Sequence, residues 1–203
     1  MKPEKAAEEL KVIRQLMERP IRFSTMSGLS AIVAGAAALG GCAADSYFTA
    51  TYPPRQAVWI NMVVWAAVFV AAFASVVLLT RWRERKQGMP FWSSIKRRIL
   101  LTILPAFVAG VGLTLVIMCR WYHGIGPNQW GLIPAVWMGF YGVTLWQLGE
   151  FSPLEVRVLG AAFIAAGIVT ATDYQALPYD ALGVTFGGFH IVYGVIVWIR
   201  HGG

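Results

Sequence analysis

The sequence predicts an all-α polytopic membrane protein: six transmembrane helices, N- and C-termini cytoplasmic, and a short N-terminal amphipathic helix. Three observations predict it. Of the 203 residues, 57% are hydrophobic and 13% charged, about half the charged share of a soluble domain. Residues 23–44, 56–80, 99–119, 121–149, 158–172 and 181–199 hold no Lys, Arg, Asp or Glu, and a helix needs about 20 apolar residues to cross a bilayer core of ~30 Å. Six Lys/Arg lie in 1–22 and seven in 81–98, with Arg157 and Arg200 on later connections of the same parity, against Arg55 and Arg120 on the other side. That bias puts the N-terminus, the 81–98 loop, the 150–157 turn and the C-terminus in the cytoplasm.

The formal net charge is +7. Its placement beside apolar segments suits anionic headgroups, and no folded reading element for nucleic acid is present. Leu39-Gly40-Gly41-Cys42 resembles a lipoprotein cleavage box, but about 22 residues with four Glu precede the apolar run, unlike a short basic leader. The expected location is a plasma or inner membrane, with the chain crossing it several times.

Residues 1–21 read as a cytoplasmic amphipathic helix. Pro3 suits a first turn, and Ala6, Leu10, Ile13 and Met17 recur at helical spacing. Such a helix lies on lipid, packs on a partner, or simply leads into the membrane domain, 22–203. Helix 1, about 22–44, is built from small residues in two stripes, Ser27/Ala31/Gly35 and Ala36/Gly40/Ala44, which let backbones approach closely in lipid. Helix 2, about 57–80, is bulkier and faces lipid. Helices 3 (97–119) and 4 (129–148) each carry a proline, Pro105 and Pro134, followed by Gly112/Thr114 and Gly142/Thr144. This is read as a kink or gate in each helix and as the trace of an inverted three-plus-three repeat. For helix 5 (153–172), Ser152-Pro153-Leu154-Glu155 reads as a capping box. Asp180 opens helix 6 (181–199). Trp82, Trp92, Trp146 and Trp198 fall near one set of helix ends and Trp59, Trp121 and Trp130 near the other, the expected aromatic belts.

The chemistry-bearing residues are few. His190 lies near the middle of helix 6, with Gly187 and Tyr193 beside it. Ionisable groups at that depth are costly and often functional. Haem ligation, proton relay or a hydrogen bond to a quinone compete with a neutral imidazole bonded to a Thr, Tyr or carbonyl. His123 and His201 lie too near the ends to complete bis-His ligation, which leaves Met118 or Met138 as a second haem ligand. Arg157 snorkels or pairs with Glu150 or Gln147 as a clamp or gate. Cys42 and Cys119 fall at similar depth and could form a disulfide or stay small apolar residues. No catalytic or metal-binding motif is present.

Arg22-Phe23 leading into Ser27-Gly28-Leu29-Ser30, then Ile133-Pro134-Ala135-Val136-Trp137, and Phe186-Gly187-Gly188-Phe189-His190-Ile191-Val192-Tyr193-Gly194 together resemble an uncharacterised family of small six-helix bacterial integral membrane proteins. The resemblance covers nearly the whole chain, implies no assigned activity and supplies no catalytic residue.

Three functions remain open. The first is a non-enzymatic sensor, partner or small permease-like unit, meeting the bilayer and a cytoplasmic or membrane protein. The second is a redox-associated subunit holding haem or quinone at His190. The third is a transporter of a lipid or hydrophobic solute, since the intramembrane polar set, with Thr102, Thr114, Tyr141, Thr144, Thr170, His190 and Tyr193, is thin. The charge asymmetry makes its own test. A reporter fused within 81–98 should be active only on the cytoplasmic side; activity outside the cell would reverse the predicted orientation.

Overall fold

The computed structural model describes residues 28–86, 88, 92–150, 152–173 and 178–201. The expected amphipathic helix over 1–21 lies outside them. The described residues form helices and no strands: α1 (Gly28–Thr51), α2 (Pro54–Lys86), α3 (Ser94–Tyr122), α4 (Leu132–Leu148), α5 (Leu154–Thr172) and α6. Helix α6 runs from Pro178–Leu182 through a π-helical stretch, Gly183–Phe189, into His190–His201. Five helices are long and apolar enough to cross a membrane. Helix α4 is apolar but has 17 residues, about 26 Å at 1.5 Å per residue, slightly under the hydrocarbon thickness.

Charge-free gaps misplace several ends. Helix α1 continues past the expected stop at 44, because Asp45 is buried in it and accepts a hydrogen bond from Trp65 Nε1 of α2 at 3.2 Å. Helix α2 runs on through Arg81–Lys86, where Glu84 is 3% exposed and paired with Lys96 of α3 at 2.6 Å. A charge with a partner need not end a helix. The capping box at 152–155 does not form. Pro153 is the extended residue before α5, no side chain caps the helix, and Glu155 instead meets Arg200 at 2.8 Å.

Helix pairing follows the glycines. Helix α1 lies antiparallel against α6, where a methyl on Gly28 would run into the Gly194 carbonyl and one on Gly35 would sit 2.7 Å from the Gly187 carbonyl. Helix α4 lies against α5 in the same way: a methyl on Gly142 would sit 2.7 Å from Gly160 O, and one on Gly167 would sit 3.0 Å from Ala135 O. In both pairs the glycines recur every seven residues, the period of a left-handed crossing near about +20°. Only the stripe through Ala31 and Gly35 is buried; Ala36 and Gly40 of the second expected stripe are exposed.

Helix α2 packs on α1 through Gly41, whose added methyl would meet Val68 at 2.7 Å. Helix α3 packs on α4, where Trp137 lies over Gly110 and donates from Nε1 to Thr114 Oγ1 at 3.1 Å. The helices therefore associate as two triplets, α2–α1–α6 and α3–α4–α5. Aromatic side chains join them: Tyr141 and Phe163 from one, Phe186, Phe189 and His190 from the other.

The ladders predict a selective response. Gly142→Leu should destabilise the protein by about 1–3 kcal/mol, the overpacking range. Gly112→Leu, whose position is open, should stay within about 0.5 kcal/mol. Melting temperatures of the full chain in detergent separate the two, and equal losses would contradict the ladder.

Candidate functional site

His190 follows the last residue of the π-helical stretch and faces α4 and α5. Its Nε2 lies 2.7 Å from the Tyr141 hydroxyl. The Phe186 ring stacks on the imidazole at 13°, and Phe163 meets it edge-on. The residue is 8% exposed, and Nδ1 is buried without a hydrogen-bond partner. Tyr193 is buried in the core one turn further on.

This geometry bears on the proposed haem or quinone site. A haem iron would need an imidazole nitrogen; Nε2 is taken up by Tyr141, which leaves Nδ1. The place of a flat ligand beside the ring is filled by Phe186. Gly187 does not open a ligand space: a methyl there would meet Leu39 of α1 at 2.6 Å. His190 links the two triplets through Tyr141, with Phe186 and Phe163 packed on its ring.

The other singled-out residues separate from one another. Pro134 is buried in the first turn of α4, where no intrahelical N–H bond is lost, so it is not a gate. Pro105 lies within α3 and leaves the Leu101 carbonyl without its usual donor. Arg157 has its Cζ 5.4 Å from the Trp146 ring centroid and its Nε buried without a partner. Among the described residues no carboxylate pairs with it, so the clamp with Glu150 is not formed. Cys42 and Cys119 are free thiols: Cys42 contacts α6 at the Tyr179 carbonyl, whereas Cys119 is exposed on α3. Of the two readings of these cysteines, the disulfide does not form, since α3 packs on α4 and not on α1.

An open groove of about 680 Å³ lies between α3 and α4. One wall is Arg98, Leu101, Thr102, Pro105, Ala106 and Ala109; the other is Phe140, Val143, Gln147 and Glu150. The α3 positions recur at helical spacing, so a single face of that helix lines the space. The groove begins where the Gly110–Trp137 contact ends, and it runs to the end of the bundle rich in Arg and Lys. There Arg98, Gln147 and Glu150 make its mouth polar. Further in, Leu101, Ala106, Ala109, Phe140 and Val143 make it apolar, with Pro105 between the two zones. Sequence reading singled out Pro105 and Glu150 separately. It missed that they share a groove, because only the α3–α4 pairing brings them together.

No family model matches this chain, and no solved structure matches it. A curated relative, Myo-inositol transporter 1A of the fungus Cryptococcus neoformans var. grubii, is 34% identical over 94 residues, 37% of this chain. The match spans 16% of that protein's length. It is consistent with a membrane protein and lends no support to the bacterial family suggested by the sequence motifs.

Two outcomes test the His190 reading. Tyr141→Phe should cost about 0.6–2 kcal/mol, the range for a hydrogen bond between membrane helices, by thermal unfolding in detergent. The purified protein should show no Soret band; a Soret band abolished by His190→Ala would restore the haem assignment.

Proposed function

We propose that this chain is a small permease-like unit that moves a solute along the α3–α4 groove. One observation carries the reading. The two triplets repeat one pairing order: α1 pairs with the next helix and with α6, and α4 pairs with the next helix and with α3. Matching α1–α2–α3 to α4–α5–α6 makes α3 and α6 counterparts, running in opposite directions. These are the two helices with a local irregularity, α3 with Pro105 inside it and α6 with the π-helical stretch Gly183–Phe189. Inverted repeats with interrupted helices at corresponding positions characterise secondary transporters. The sequence suggested this symmetry on another pair, Pro105 with Pro134.

The similarity to a fragment of a myo-inositol transporter favours the same class. The site is Pro105, the Leu101 carbonyl, Gln147, Glu150 and Arg98. In this reading six helices span the membrane, the Arg- and Lys-rich end faces the cytoplasm, and the membrane is the plasma or inner membrane. The segment over 1–21 then meets lipid or a protein partner, and the bacterial family resemblance stays part of the proposal. A redox-associated subunit finds no supporting observation around His190.

The test is movement of the groove together with flux. Spin labels at Leu101→Cys and Val143→Cys, in a chain carrying Cys42→Ser and Cys119→Ser, should report two distance populations in proteoliposomes, with a ratio shifted by Pro105→Ala. Labelled phospholipid added outside should be taken up into the inner leaflet of those vesicles faster than into that of protein-free ones. A single distance population unmoved by Pro105→Ala, with uptake equal to that of protein-free vesicles, would overturn the proposal.

A further inference from the structure

The groove is open along its side and carries opposite charges at one end only. Leu101 and Val143 line it and are themselves exposed to the surroundings of the bundle, at 59% and 42%, so in a bilayer the apolar zone is continuous with lipid chains. At the mouth stand one guanidinium, Arg98, and one carboxylate, Glu150, with the Gln147 amide beside them. Just inside, Leu101 lines the groove, and its carbonyl lacks its usual helical donor because of Pro105. The formal charge of the mouth is therefore balanced. A simple anion would face the Glu150 carboxylate, and a simple cation would face Arg98. A free polar solute would leave the apolar walls against water.

We propose that the occupant of this groove is a phospholipid with a zwitterionic headgroup bearing a primary ammonium, of the phosphatidylethanolamine type, with one chain lying along α3 and α4. This names the substrate class of the groove and so rests on the permease reading for any movement, though not for binding. The phosphate accepts from Arg98, the geometry in which guanidinium is strongest. The ammonium carries three donors, and Glu150, the Gln147 side-chain oxygen and the Leu101 carbonyl are acceptors. The chain fills the strip bounded by Ala106, Ala109, Phe140 and Val143, where small residues on α3 face larger ones on α4. Choline headgroups match the charges but have no N–H to donate. Glycerol headgroups match Arg98 but bring no cation to Glu150.

Three lipids separate these terms: phosphatidylethanolamine, phosphatidylcholine and phosphatidylglycerol of identical chains, each mixed equally with the full-length protein in detergent. Retained lipid is counted by native mass spectrometry. The ethanolamine lipid should be retained roughly fivefold over the choline lipid, the factor expected from one net hydrogen bond. Glu150→Gln should abolish that preference, whereas Arg98→Gln should weaken retention of all three lipids. Both positions are exposed, so neither variant threatens the fold. Equal retention of the three lipids would overturn the proposal, as would a preference for the glycerol lipid or an ethanolamine preference that survives Glu150→Gln. Retention needs no motion of the helices. Lost selectivity with two spin-label distances would sink only the lipid assignment; selective retention with one fixed distance and no flux would sink only the permease reading.

Discussion

Close approach of helix backbones is the constraint on which the rest of this structure depends. Between lipid-bathed helices there is little hydrophobic drive to associate, because the tails are as apolar as the side chains, so packing and a few cross-helix bonds must suffice. Gly28, Gly35, Gly187 and Gly194 bring α1 onto α6; Gly142, Gly160 and Gly167 bring α4 onto α5. Each pair has its small residues in the seam and its bulk elsewhere. The larger aromatics then join the two triplets, with the Tyr141–His190 bond among them and the Glu84–Lys96 and Glu155–Arg200 pairs at one end. Helices α2 and α3 remain outside these ladders and are the least buried of the candidate spans.

That division of labour leads toward function. A helix locked by backbone contact on both faces has little room to move. Helix α3 instead touches α4 around Trp137 and stands away from it beyond Pro105. The groove exists because the small-residue seam stops there. Its polar mouth lies beside the Glu84–Lys96 pair that ties α2 to α3. Rigid ladders, an interrupted outer helix and an amphipathic groove together suit a unit that holds and releases an amphiphilic solute.

Much of the fold was legible in the sequence, through mechanisms that also explain the misses. Charge-free runs marked where apolar helices lie, since a lone charge in hydrocarbon is costly. They failed at Asp45 and Glu84, where Trp65 and Lys96 supply partners that no sequence window reveals. Ser152 and Glu155 matched a capping pattern, yet Arg200, far along the chain, took the carboxylate. The π-helical turn before His190 had no signal beyond Gly187-Gly188. For the site, Pro105 was visible as a lost hydrogen bond, but its meaning came from Glu150 and Gln147 across the groove. His190 was noticed for its depth, and the competing reading of a bonded neutral imidazole matches its contact with Tyr141.

The pairing of α1 with the interrupted part of α6 is the claim from which the two-triplet arrangement follows. A β-carbon at position 183 would lie 3.8 Å from Cys42 Cβ, the separation typical of a disulfide. Gly183→Cys in a Cys119→Ser chain, oxidised mildly in native membranes and mapped by mass spectrometry, should yield a peptide linking Cys42 to position 183. Two unlinked thiols after the same oxidation would contradict the arrangement.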